Sequence, residues 1–204
     1  MVTMNDKDTT ALAHVAAIPP YPPGRPVSAV AREFGLDPAR IVKLASNENP
    51  MGCSPKALEA IQEAARLTHQ YPDFDCHELR GLLAAENGVE TGWVLPGAGS
   101  SDLILQAARG WLGAGRNAVI PQYSFASYES GAAAQGAAVI TVPAKGWDHD
   151  LDALVRAVTP ETGVLFLATP NNPIGTAVAP AALEGFLAAV PDHVLVVLDE
   201  AYRE

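Results

Sequence analysis

The chain has 204 residues, 49% of them hydrophobic and 18% charged, proportions of an ordinary folded protein that exclude wholesale disorder. Its 13 basic and 23 acidic residues give a net charge of −10 with no cluster of Lys and Arg, which argues against nucleic acid or an anionic membrane as partner. Cys53, Cys76 and five scattered histidines show no metal-ligand spacing, and no run approaches the roughly 20 apolar residues of a membrane helix.

In chain order, residues 1 to about 13 are expected to form a mobile leader. Its polar start lacks the basic and apolar regions of a signal peptide, which points to the cytoplasm and reduced thiols. From Ile18 to Pro26 five of nine residues are proline, so this stretch is expected to be a stiff, extended arm. Val27 to Phe34 is predicted as a short helix ended by Gly35, and Val42-Lys43-Leu44 as a brief strand. Ser54-Pro55 opens a helix through Ala65, with a cap residue followed by proline at the first helical position. Asp75 and Glu78 have capping-box spacing for a second helix, closed by Asn87-Gly88. Trp93-Val94-Leu95 is predicted as a strand before Gly97-Ala98-Gly99-Ser100-Ser101, with a helix from Asp102 to Leu112.

Alternation then becomes regular. Strands are predicted at Ala118–Ile120, Ala138–Val142, Gly163–Ala168 and His193–Leu198, and helices at Phe125–Gln135, Asp152–Val158 and Pro180–Ala189. Strands apolar on both faces and separated by helices indicate a parallel sheet covered on each side, hence a three-layer α/β fold. Asp148, Asp150 and Asp152 mimic part of a calcium loop, but position twelve of that loop is Thr159. A helix-capping acidic turn is expected there instead.

Ligands of open parallel sheets bind beyond the carboxyl ends of the strands. Four segments fall there. Gly97-Ala98-Gly99-Ser100-Ser101 offers close backbone approach and a helix start, which suits a phosphate, although the same sequence also serves as plain capping. Tyr123, Phe125 and Tyr128 follow a strand and can stack on a planar ligand or pack into the core. Thr169-Pro170-Asn171-Asn172-Pro173-Ile174-Gly175 holds two amides in a rigid turn. Asp199 emerges from an apolar strand and needs a cationic or N–H partner. One ligand that would use all four is a phosphorylated, protonated nitrogen heterocycle, such as pyridoxal phosphate.

Leu44-Ala45-Ser46-Asn47-Glu48-Asn49-Pro50, Gln70-Tyr71-Pro72, the Gly97 to Ser101 loop, Thr169 to Gly175 and Asp199-Glu200-Ala201-Tyr202 occur in this order. Together they resemble the fold-type I pyridoxal-phosphate aminotransferases, specifically the histidinol-phosphate aminotransferases, over residues 18 to 204. The resemblance implies that Asp199 pairs with the pyridine nitrogen, that Asn172 and Tyr202 bond the ring's O3′, and that Phe125 stacks on the ring. It implies that Ala98, Gly99 and Ser100 hold the cofactor phosphate, and that Tyr71 reaches the phosphate of a neighbouring subunit in a homodimer. Tyr21 and Asn49 fall on the substrate side. An amino donor and a 2-oxo acid acceptor are the implied small-molecule partners.

Ala98 departs from the asparagine common at that place in the family. The family's Schiff-base lysine lies downstream of the Asp-Glu-Ala-Tyr segment, and Lys7, Lys43, Lys56 and Lys145 do not fit its role. Residues 1–45 are therefore expected to be leader and arm, and 46–204 the first part of a cofactor-binding domain, inactive and marginally folded alone. Alternatives within the fold are an aromatic aminotransferase or a phosphothreonine-type decarboxylase. Outside enzymes, a fragment that only dimerises or binds phosphate also stays open.

Overall fold

In the computed structural model, which describes residues 11–204, the proline-rich stretch of residues 19–26 carries neither helix nor strand. Ahead of it, Ala13–Ala16 forms a single turn, α1, while residues 1–10 of the expected leader lie outside the described residues. The chain divides into two units, one spanning Pro20–Leu95 and the other Pro96–Glu204 with the described residues up to Pro19.

The first unit is helical. Val27–Phe34 (α2) follows Pro26 and ends at Gly35 in the left-handed conformation, as the sequence predicts. Pro55–Ala64 (α3) begins behind Ser54, whose side chain makes no capping bond. His77–Asn87 (α4) is capped by Asp73 rather than by Asp75. The Asp73 carboxylate accepts the N–H of His77 at 2.8 Å and that of Asp75 at 3.1 Å, and those two bonds hold its pKa below the usual carboxylate range. Two expected strands do not form. Val42–Leu44 is irregular, and of Trp93–Leu95 the first residue ends the 3₁₀ turn Thr91–Trp93 and the other two are irregular; neither segment has a neighbouring ladder to satisfy its backbone among the described residues.

The second unit carries the sheet. Ser100–Trp111 (α5) leads into Asn117–Pro121 (β1), Ala126–Ala134 (α6), Ala138–Val142 (β2), Leu151–Arg156 (α7), Thr162–Ala168 (β3), Pro180–Ala189 (α8) and Leu195–Asp199 (β4). All neighbours pair in parallel in the order β2-β1-β3-β4. Alternation along β3 sends Val164 and Phe166 into one core with Ile104, Ala108 and Tyr128. Leu165 and Leu167 enter a second core with Leu154 and Phe186. Helices α5 and α6 cover one face and α7 and α8 the other, so the three layers expected from the apolar strands are present. Burial is unequal, however. β1 and β3 are buried throughout, whereas the edge strand β4 is half-buried along its length despite its apolar sequence. The acidic turn before α7 is a cap as expected, with the Asp150 carboxylate accepting the Ala153 N–H at 2.9 Å.

Gly163 shows how tightly α5 closes on the sheet. A Cβ there would lie 2.3 Å from the carbonyl oxygen of Trp111, a backbone atom that cannot swing aside. Gly163→Ala is therefore expected to destabilise the protein by roughly 1–3 kcal/mol, the ordinary cost of overpacking. A denaturant melt of the variant against the parent checks this; an unchanged midpoint would mean that α5 is free to move off the strand.

Candidate active site at the strand ends

Each part of the site is delivered by the end of a regular element. The carboxyl end of β4 supplies Asp199, the residue before α6 is Phe125, the turn after β3 presents Asn172, and α5 begins at Ser100. These four residues line one small cleft together with Tyr128, Ala168, Ala201 and Tyr202. Five of the residues expected from the sequence to contact a cofactor are thus in one place: Ser100, Phe125, Asn172, Asp199 and Tyr202.

The Asp199 carboxylate is doubly held. Its Oδ1 accepts the N–H of Ala201 at 3.1 Å, and its Oδ2 accepts the hydroxyl of Tyr128 at 2.7 Å. Tyr128 is fully buried, stacked on Phe166 with centroids 4.9 Å apart and planes 4° from parallel. Phe125 meets the same ring edge-on, at 6.1 Å and 88°. Burial pushes the Tyr128 phenol pKa well above its ordinary value, and the hydrogen bond to Asp199 and the carboxylate charge raise it further. Sequence reasoning leaves Tyr128 as stacking or core packing and misses this bond. The available signal is its spacing: three residues after Phe125 on one helix face, with a hydroxyl that needs a partner once buried.

The turn after β3 is tied down at several points. Thr169 donates its N–H to the Asp199 carbonyl at 3.0 Å, and its Oγ1 accepts the Val178 N–H at 2.9 Å. Asn171 donates its N–H to the Thr176 carbonyl at 2.8 Å. The Thr169-Pro170 and Asn172-Pro173 bonds are cis. Asn172 itself is half-buried at the cleft. Elsewhere at the end of β3, His149 Nε2 lies 3.0 Å from the Ala168 carbonyl, and burial lowers the pKa of its imidazole.

The glycine loop behaves differently from its sequence expectation. The N–H of Ala98 donates to Asp102 Oδ2 at 3.0 Å, and that of Gly99 donates to the Gly97 carbonyl at 2.9 Å. Gln106 adds a bond to the same Asp102 oxygen at 3.1 Å, and these donors, Ala98 first, lower the Asp102 pKa. Neither Ala98 nor Gly99 lines the cleft. Helix geometry leaves the N–H groups of Ser100 and Ser101 without intrahelical acceptors at the mouth of α5, with the positive end of the helix dipole behind them.

Tyr21, Asn49 and Tyr71 belong to the helical unit and are not among the cleft's lining residues. Tyr21 and Tyr71 are exposed. Asn49 closes a local turn, accepting the Met51 N–H at 2.9 Å and donating to the Gly52 carbonyl at 3.4 Å. No group of three or more metal-ligating side chains occurs among the described residues, and no helix there is long and apolar enough to cross a membrane.

The model of the aminotransferase class I and II family matches residues 39–204. The chain belongs to this family. Among curated aminotransferases, histidinol-phosphate aminotransferase 2 of Pseudomonas fluorescens is 52% identical over 93% of this chain and 51% of its own length. The Pseudomonas aeruginosa protein of the same name is 50% identical over 98% and 54%. The crystal structure of the Sinorhizobium meliloti histidinol-phosphate aminotransferase in complex with pyridoxal 5′-phosphate superposes with a TM-score of 0.83 at 29% identity, covering 98% of this chain and 53% of that one. The chain spans about half the length of the curated relatives it matches. The fold of this aminotransferase-family chain is therefore that of the fold-type I enzymes.

Removing the Tyr128 hydroxyl strips a buried bond from the Asp199 carboxylate without changing the ring. Tyr128→Phe is expected to cost about 1.5–3 kcal/mol of stability, the range for bonds to charged groups. Because the folded-state phenol pKa is raised above the unfolded value, its contribution is complete below about pH 10 and is lost as pH climbs toward the folded value. Denaturation followed between neutral pH and about pH 11 should show the parent losing more stability than Tyr128→Phe. Parallel pH curves would remove Tyr128 from the account.

Proposed function

We propose that this chain is the first part of a pyridoxal-phosphate-dependent histidinol-phosphate aminotransferase, exchanging an amino group between histidinol phosphate and 2-oxoglutarate. The observation that carries it is the half-buried Asp199 carboxylate sharing one cleft with Phe125, Asn172 and the mouth of α5. The likeness to enzymes of that name, at 52% and 50% identity, supports the choice within the family.

The residues present fit the cofactor's chemistry. A basic ring nitrogen matches Asp199, a ring oxygen matches the amide of Asn172 and the hydroxyl of Tyr202, an apolar ring face matches Phe125, and a phosphate matches Ser100. Bound there, pyridoxal phosphate supplies an electron-withdrawing ring that stabilises negative charge developing at the substrate carbon next to the amino group.

The chain's own groups then have distinct tasks. Asp199 holds a proton at the ring nitrogen. Tyr128 and the Ala201 N–H each donate to one Asp199 oxygen, so the carboxylate keeps one orientation. Asn172 and Tyr202 donate hydrogen bonds to the ring oxygen. Phe125 covers the ring face and excludes water from it. Ser100 supports the phosphate with its N–H and hydroxyl, while Ala98 and Gly99 contribute the shape of the loop that delivers it.

On this reading residues 1–45 are leader and arm, and 46–204 begin the cofactor-binding domain. Tyr21 and Asn49 face the substrate, and Tyr71 reaches the cofactor phosphate of a second subunit in a cytoplasmic homodimer.

The deciding assay gives the full-length protein 2-oxoglutarate with either histidinol phosphate or phenylalanine as amino donor. Preference for histidinol phosphate is expected; preference for phenylalanine moves the protein to another branch of the family, and no pyridoxal phosphate bound removes the proposal. Asp199→Ala should retain some cofactor but lose turnover by roughly 10³-fold or more, as loss of a preorganised charge partner does. Near-parental rates would clear Asp199 of its role. Asn172→Ala should shift the pH titration of the cofactor's absorbance band, and a superimposable titration would count against the assigned bond.

A further inference from the structure

None of the roles above uses Asn171, although it is only 3% exposed and is one of few buried polar residues. Its Nδ2 donates to the carbonyl oxygen of Tyr123 at 3.2 Å. Because a carbonyl only accepts, this bond sets the orientation of the amide, and Oδ1 is left buried without a partner. Tyr123 has a φ of +59°, a region that bulky side chains rarely adopt. Its ring rests against Trp147 with centroids 5.6 Å apart. The strained peptide lies two residues before Phe125, and Asn171 directly precedes Asn172. One side-chain bond therefore joins the loop carrying the aromatic wall of the cleft to the turn carrying its amide.

We infer that Asn171 is a positioning residue, whose side-chain amide holds the Tyr123 peptide in its left-handed conformation and thereby fixes the separation of Phe125 and Asn172 across the cleft. This rests on the cofactor reading given above for those two residues. The bond holds Tyr123 in a conformation that glycine adopts without steric cost. Without it, the loop relaxes toward negative φ and carries Phe125 with it.

The test uses full-length protein with Asn171→Ala and the near-isosteric Asn171→Asp, which sets an acceptor against the Tyr123 carbonyl. Each is made alone and combined with Tyr123→Gly. Pyridoxal phosphate is titrated into the apo protein to obtain Kd and the circular dichroism of the cofactor band, and the Tm of the apo protein is measured separately. Each Asn171 variant is expected to weaken cofactor binding about tenfold and to reduce the dichroic band, since small misplacements of a positioned group carry such penalties. In the Tyr123→Gly background the same variants should change Kd by less than about threefold, the mark of coupled rather than independent sites. Unaltered Kd in both single variants, or a loss of about tenfold that persists undiminished in the Tyr123→Gly background, overturns the inference. If the parent protein binds no pyridoxal phosphate, the functional reading fails instead, and the apo Tm values of the same single and combined variants then decide whether Asn171 and Tyr123 are coupled.

Discussion

The bond between the Tyr128 hydroxyl and the Asp199 carboxylate is the constraint on which the rest of the site depends. It ties the first turn of α6 to the last residue of β4, two elements separated by 71 positions in sequence. A carboxylate at the end of an apolar strand is costly unless donors surround it, and here a buried phenol and a backbone N–H provide them. The phenol can serve only because Phe166 and Phe125 pack around its ring and remove water from it. Packing in the core thus determines how a polar group is presented at the surface, and sequence, fold and chemistry meet at one 2.7 Å contact.

Much of the sheet-bearing unit was legible because its signals are local and redundant. Continuous apolar runs at β3 and β4 read as strands covered on both faces; β3 is fully buried, whereas β4 at the sheet edge is only half-buried. Pro180 and Asp150 announced the helices that they open. The failures came where a local signal had no tertiary partner. Val42–Leu44 and Trp93–Leu95 have strand-like composition, yet a strand exists only by pairing, and nothing pairs with them among the described residues. The capping-box spacing of Asp75 and Glu78 was outcompeted by Asp73, whose carboxylate reaches two N–H groups at once.

The site divides along the same line. Asp199, Asn172, Phe125 and Ser100 lie in segments that stand out by their place at strand ends and helix starts, Tyr202 is named only through the family resemblance, and the five share one cleft. The roles of Tyr128 and Asn171 were not legible, because each acts through a partner distant in sequence. A tyrosine in a helix and an asparagine in a turn look ordinary until the fold shows what their polar atoms reach.

The carboxylate of Asp102 gives the glycine loop a further property. By accepting the Ala98 N–H it does from inside the chain what a bound anion would otherwise do from outside, so the loop has a scaffold of its own before any ligand arrives. The same donors that this carboxylate accepts from also keep it ionised. A loop braced in this way owes its shape to the chain's own charge and amides, not to anything that settles on it.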